Sequence, residues 1–484
     1  MKKFLVFFFT ALTTSAAFAQ GYQVTLKAPG YKSGITYLTY YMGSNFNIAD
    51  SAVIDNNGTA VFKGADNLAP GIYAIFFPGK QLRTEFLIDK EQIISVTADT
   101  SDLINKTVVT GSKENIIYGQ YQKVAASKGR LIQKELQAFR ASVTRQDSLL
   151  HEKKYIAYNK ELNDYREGII KNQPNSMMAA LLNAMKEPPY PTKVPVTKQD
   201  SIDNYNEYKK HYWDGISFMD DRIIRTPFFL KKLGRYYQEV ISPDPDTIIK
   251  DVDYKLLLAR SAPEMYKFIL NWVTDEFINP KYMGQDAVFV HLFEKYHSKG
   301  LSPWLNEKQM EAISRRAYML MANLIGEKGA DLEMLNTENK PANLYSLNAD
   351  YTIICFWDPN CGHCKDELPR LDSIYRASWK KHNVKIFAVL TPDGKQDVKP
   401  EWLSFIKEKD LGEWTHVYKT KEMEDADFAA QRPGFRQLYD IILTPTLYLL
   451  DKEKRIIGKK LTLLQLNDLL NVKWSTAASN LKNN

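Results

Sequence analysis

Trp357-Asp358-Pro359-Asn360-Cys361-Gly362-His363-Cys364 follows directly on the apolar run Tyr351-Thr-Ile-Ile-Cys-Phe356. The run is short, β-branched and aromatic, so it reads as a buried strand, and Pro359 breaks it before the cysteine pair. A helix starting at that pair places the first sulfur at a helix N-terminus, where unpaired N–H groups and the helix dipole favour a thiolate. The second cysteine, three residues on, returns to the same side of the helix, within reach of a disulfide. A strand, a proline break and a dithiol at a helix start together form a redox device.

Other uses of a Cys-x-x-Cys pair are half a zinc site and an inert structural disulfide. A zinc site needs two further ligands of suitable spacing. The third cysteine, Cys355, falls inside the apolar run and is expected to pack as a small hydrophobe. The seven histidines show no paired ligand spacing, so no metal is assigned. A cycling dithiol needs no cofactor, and none is assigned either.

Residues 1–19 read as an export signal. Lys2 and Lys3 precede an apolar core from Phe4 to Leu12, and Ala17-Phe18-Ala19 has the small-x-small pattern of a cleavage site. The apolar core is shorter than the ~20 residues that span a bilayer. An exported chain of 484 residues with 3 cysteines is not built on disulfides, and two that stand as a spaced pair read as catalytic. The formal net charge is +7, with acids and bases interspersed, so neither nucleic acid nor a membrane surface is an expected partner.

Outward from the dithiol the chain falls into three textures. Residues 20–112 hold short β-branched and aromatic runs separated by turns, among them Tyr22–Leu26, Ile35–Tyr40, Ile72–Phe77 and Ile93–Thr97. They predict an N-terminal antiparallel β-sandwich, with Asp55-Asn56-Asn57-Gly58 as a hairpin turn. Residues 113–325 have a helical period, with stripes such as Met265, Ile269, Val273 and Phe277, or Met310, Ile313, Ala317 and Leu320. They predict a central α-helical domain. Residues 326–484 alternate strand-like runs (351–356, 384–390, 446–450) with helical segments, which predicts a C-terminal α/β domain around a central sheet. The chain is thus expected to be a multidomain α+β protein.

The third region resembles the thioredoxin-like family, and within it the exported TlpA/ResA-type thiol-disulfide oxidoreductases. The resemblance is carried by Phe356–Cys364, by the following Lys365-Asp366-Glu367-Leu368-Pro369, and by Tyr439–Leu450, where Thr444-Pro445 looks like the family's cis-proline turn. Less specifically, the first two regions resemble the accessory domains attached to this fold in exported proteins of Bacteroidota. The resemblance implies a periplasmic address and, as partners, protein thiols or disulfides and an upstream redox protein. The accessory domains leave room for a homo-oligomer.

Roles follow from this chemistry. Cys361 is the expected nucleophile and Cys364 the resolving thiol. Glu367, at the family's buried-acid position, would take the proton of Cys364 from within the domain. His363 between the cysteines resembles the dipeptide of protein disulfide isomerases and would stabilise the neighbouring thiolate. Thr444 and Pro445 would shape a groove for an extended substrate, and Trp357 and Pro359 would wall the site, Trp357 standing equally well as core. Thiol peroxidase, which shares the fold, uses a Thr or Ser three residues before its reactive cysteine; here that residue is Asp358. A ligand- or partner-binding protein with a secondary redox role is the remaining alternative, because so much of the chain lies outside the catalytic fold.

Overall fold

In a computed structural model the chain is described at residues 21–189, 191, 193–394 and 397–482. The expected export segment, residues 1–19, lies outside them. The chain forms two compact units. One runs through Ile241 and takes in Lys255–Phe268; the other holds Ser242–Tyr254 and everything from Ile269 onward. The region 113–325, expected as one helical domain, is therefore divided between them.

In the first unit β1 (Gln23–Lys27), β2 (Ile35–Met42), β3 (Asn45–Val53), β4 (Thr59–Lys63), β5 (Gly71–Phe76), β6 (Arg83–Ile88), β7 (Ile93–Thr97) and β8 (Val108–Thr110) make two sheets of four strands. Their orders are β4-β1-β7-β8 and β3-β2-β5-β6. Leu26, Phe62, Tyr73, Ile75, Phe86 and Val96 belong to the core of this sandwich. Two expectations need correction. The sandwich is not purely antiparallel, because β1 and β7 run parallel, Val24 opposite Ile94. The Asp55–Gly58 turn forms, with Gly58 N–H donating to the Asp55 carbonyl at 2.9 Å, but it carries the chain from one sheet to the other and closes no hairpin. The near-continuous apolar run of β5 has a reason in packing. Ile72 and Leu87 turn to the opposite side from the sandwich core and cluster with Tyr118, Tyr121, Met178 and Leu182 of the following helices. A strand covered on both sides loses its alternation.

The second unit is built on a seven-stranded sheet of β9 (Met334–Asn336), β10 (Pro341–Ala342), β11 (Tyr351–Trp357), β12 (Val384–Leu390), β13 (Thr415–Tyr418), β14 (Thr446–Leu450) and β15 (Ile456–Lys459). The order is β10-β9-β13-β12-β11-β14-β15. β11 lies between a parallel neighbour, β12, and an antiparallel one, β14. Both of its faces are covered. Ile353, Cys355 and Trp357 point to the side that holds Leu368, Leu371 and Trp402, while Ile354 and Phe356 meet Phe435, Tyr439 and Tyr448. The antiparallel register sets Phe356 opposite Thr446. That pairing brings the loop before Thr446 beside the loop after Phe356, where the cysteines are.

Candidate active site

Cys361 is the N-cap of the Gly362–Ile374 helix, with extended backbone at φ −76 and ψ 122. Its carbonyl already accepts the first helical bond, from Lys365 N–H at 3.1 Å, and its own N–H donates to the Asp358 carbonyl at 3.1 Å. Pro359 and Asp358 make the turn that delivers it. Asp358 is buried, and its carboxylate accepts from the main-chain N–H of Asn360 at 2.8 Å and of Asp393 at 2.7 Å. This Asx turn locks the approach to the dithiol. Asp358 enters the sequence reading only as the position of a missing hydroxyl; the Asp-Pro pair before a helix was the signal for its structural part.

The two thiols are both free and differ sharply in environment. Cys361 is partly exposed, and its S–H donates to the Thr444 carbonyl at 3.3 Å. Partial burial disfavours its thiolate, but the Cys364 amide, the Thr444 side chain, the Cys364 thiol and the His363 amide together outweigh it and bring the pKa below the ordinary thiol value. While protonated, the sulfur makes no capping bond; once ionised it becomes the acceptor that the second and third amides of a helix lack. Cys364 is fully buried, and burial pushes its pKa up to about 12, against the lowering effect of the Asp358 main-chain N–H. Cys355 is fully buried in β11, and burial raises its pKa further above the ordinary value.

In native protein, alkylation is therefore expected at Cys361 alone, with a pH midpoint below that of a free thiol, because a lowered pKa leaves more thiolate at every pH beneath the ordinary one. Cys355 and Cys364 should label only after denaturation. Mass mapping of the alkylated chain across a pH series checks this, and rapid native labelling of Cys355 would contradict it.

The other expected site residues divide. His363, Glu367, Thr444 and Pro445 line one cavity of about 620 Å³, and the Thr444–Pro445 bond is cis. Trp357, by contrast, is fully buried, its ring 5.4 Å from that of Phe405, and Pro359 is buried as well. Both belong to the scaffold and present no wall to a substrate. Glu367 also departs from its expected place. Its side chain is 39 % exposed and its carboxylate accepts from Arg370 at 3.2 Å, so it is a surface acid. Three residues after a buried cysteine at the first turn, the helix has already rotated this position toward the cavity and solvent. Glu367→Gln should accordingly leave stability within about 0.5 kcal/mol, as for other surface changes, and leave the pH dependence of Cys364 unshifted. Stopped-flow resolution of the mixed disulfide against pH checks this; a displaced profile would restore Glu367 as a base. Among the described residues no group of three or more His, Cys, Asp or Glu side chains is placed to hold a metal ion.

Residues 325–458 match the AhpC/TSA family, and residues 22–118 match a domain of unknown function (DUF4369). No curated protein matches the chain. Among solved structures, a domain of a possible thiol-disulfide isomerase from Cytophaga hutchinsonii is 33% identical over 32% of this chain and 97% of that one, with a TM-score of 0.27. A thioredoxin-like protein from Bacteroides caccae is 21% identical over 59% of this chain and 98% of its own, with a TM-score of 0.43. A thiol:disulfide interchange protein from a Bacteroides species is 23% identical over 31% and 90%, with a TM-score of 0.26.

Proposed function

We propose, from the premise that this chain belongs through its C-terminal domain to the thioredoxin-like family of thiol-disulfide oxidoreductases, that it exchanges disulfides with partner proteins through Cys361 and Cys364. The observation that carries the reading is the asymmetry of the two thiols, one accessible with a lowered pKa and one buried with a raised pKa. As thiolate, Cys361 attacks one sulfur of a partner disulfide; the S–S bond breaks and the partner's other sulfur leaves with the electron pair. A mixed disulfide results. Cys364 then gives up its proton and attacks the Cys361 sulfur, releasing the partner as a dithiol and leaving the Cys361–Cys364 disulfide.

Burial is the main reason Cys364 holds its proton, and the nearby Cys361 sulfur adds to it. Once Cys361 is tied up in the mixed disulfide that addition is gone, while the Asp358 N–H remains. The second thiol is thus eased toward ionisation at the stage that needs it. Thiol peroxidase is disfavoured because Asp358 commits its carboxylate to two main-chain N–H groups and offers no hydroxyl. The signal-like N-terminus supports export, with the periplasm as the working compartment, and among the described residues no helix is long and apolar enough to cross a membrane.

The test is reduction of insulin disulfides by the full chain with a dithiol as electron source; failure there, with consumption of peroxide, would move the assignment to the peroxidase. His363, exposed between the cysteines, favours the thiolate and so the reduced form. Equilibration with glutathione should therefore give a potential less reducing than thioredoxin's, about −270 mV. A value at or below that figure would deny His363 this influence.

A further inference from the structure

The stretch from Asp440 to Thr444 ends at the residue whose carbonyl faces Cys361, and its other end is gripped by a helix from an earlier part of the chain. That helix, Glu307–Met321, belongs to the same compact unit. From it Arg316 Nη1 donates to the Asp440 carboxylate at 2.6 Å, while its Nε donates to the Ile278 carbonyl at 3.3 Å. Asn323, just past the helix, donates to the Leu438 carbonyl at 3.0 Å. Arg316 and Asn323 both precede the thioredoxin-like domain. The exchange chemistry uses neither of them.

Asp440 needs that grip. Its side chain is fully buried, and its backbone sits at φ 47, in the left-handed region that residues with side chains seldom adopt. Burial alone raises its pKa, but Arg316 and Lys460 outweigh it and hold the carboxyl below its ordinary range. It therefore stands ionised between two cations, Lys460 donating at 2.5 Å from just after β15. The Lys459–Asp286 pair and the Tyr448 hydroxyl also lie within electrostatic reach of it. At the far end of the stretch, the Thr446 hydroxyl on β14 donates to the Leu443 carbonyl at 2.6 Å. With both ends fixed, the residues between them have little room to shift. Thr444 stays against the dithiol, its carbonyl accepting from Cys361 and its side chain favouring the thiolate of either cysteine.

We propose that Arg316 is a positioning residue for disulfide exchange, setting through Asp440 where Thr444 stands against the Cys361 sulfur. The inference rests on the disulfide-exchange reading. It gives the helical segment before the thioredoxin-like domain a part in the reaction without any contact with substrate. Small displacements matter here, since a shift on the order of 1 Å in a group that orients a reacting atom can cost about 10²-fold in rate. Losing Arg316 leaves Lys460 on Asp440, so the buried carboxylate keeps a cation and the fold is expected to survive.

The experiment measures the pH midpoint of Cys361 alkylation and the rate of insulin reduction in the full chain carrying Arg316→Met, Arg316→Lys or Asp440→Ala. If Thr444 drifts from Cys361, the thiolate loses the Thr444 side chain. Arg316→Met and Asp440→Ala should then both raise the midpoint by about half a unit, leaving about threefold less thiolate below it. A field effect alone behaves differently, because removing a cation raises a thiol pKa and removing an anion lowers it. The charged groups of the dithiol helix near Cys361, His363 and the Glu367–Arg370 pair, are the same in every variant. Insulin reduction should slow about tenfold in each of the two. The double variant should be no slower than Asp440→Ala, because the arginine acts through the carboxylate. Arg316→Lys, which keeps a cation for Asp440, should restore the midpoint of the unaltered chain. Unmoved midpoints, midpoints moved in opposite directions, or losses that multiply in the double variant would each overturn the proposal. Should Asp440→Ala fail to fold, equal midpoints in Arg316→Met and the unaltered chain would still refute it. Failure of the unaltered chain to reduce insulin would instead overturn the exchange reading, and the two failures are told apart because alkylation needs no disulfide substrate.

Discussion

Cys364→Ser is expected to turn the protein into a trap, and Cys361→Ser to silence it. With serine at 361 the accessible thiolate is gone, and the remaining Cys364 is fully buried with a pKa near 12. Turnover of protein disulfides should fall by at least about 10³-fold, the scale of losing a nucleophile. With serine at 364, the first attack proceeds, because the groups that lower the Cys361 pKa include the Cys364 main-chain amide, which the substitution keeps. The mixed disulfide then has no internal thiol to resolve it. Non-reducing electrophoresis of Cys364→Ser purified from cells should show partner adducts that collapse on reduction, and Cys361→Ser should show none. Adducts on Cys361→Ser alone would exchange the roles of the two thiols.

What could be read before the structure tracks how local the determining physics is. The strand, the break at Pro359 and the dithiol at a helix start are set by neighbours in sequence, and all appear as expected. The Thr444-Pro445 turn lies some eighty residues away, yet a proline directly before the apolar Thr446–Leu450 run marks it, and the antiparallel register with β11 brings it to the cysteines. Failures come where a side chain's direction decides. Trp357 and Cys355 share a face of β11 that a helix covers, so an aromatic beside the motif is core. The family resemblance places Glu367 inward as a buried acid, but a helix position can share a side with a buried cysteine and still stand at the edge of the buried stripe, and here an arginine one turn on holds it there.

Non-local pairing explains the remaining gaps. The parallel β1–β7 pair joins strands some seventy residues apart, and strand composition alone says nothing of direction. The ion pairs at the buried Asp440 also depend on segments distant in sequence, with Arg316 and Lys460 each donating to its carboxylate. No window of sequence around the cysteines contains that arrangement.

Lys459→Met should cost the C-terminal unit about 3–5 kcal/mol, the usual result of stripping one partner from a buried ion pair. Lys459 at the end of β15 meets the Asp286 carboxylate, and the two side chains are 7% and 3% exposed. The ammonium also donates to the Asn323 carbonyl at 2.9 Å and to its side-chain oxygen at 3.0 Å. Burial lowers the pKa of Lys459, with Asp286 acting against that shift. Without the lysine, Asp286 keeps a buried charge, and its Oδ1 already lacks a hydrogen-bond partner. Adding Asp286→Leu to Lys459→Met should recover much of the loss, since an apolar pair needs no counter-charge. Urea unfolding followed by tryptophan fluorescence reads the relevant unit, because seven of the 8 tryptophans lie in it. A loss below about 1 kcal/mol would show that the pair is hydrated and carries little of the fold.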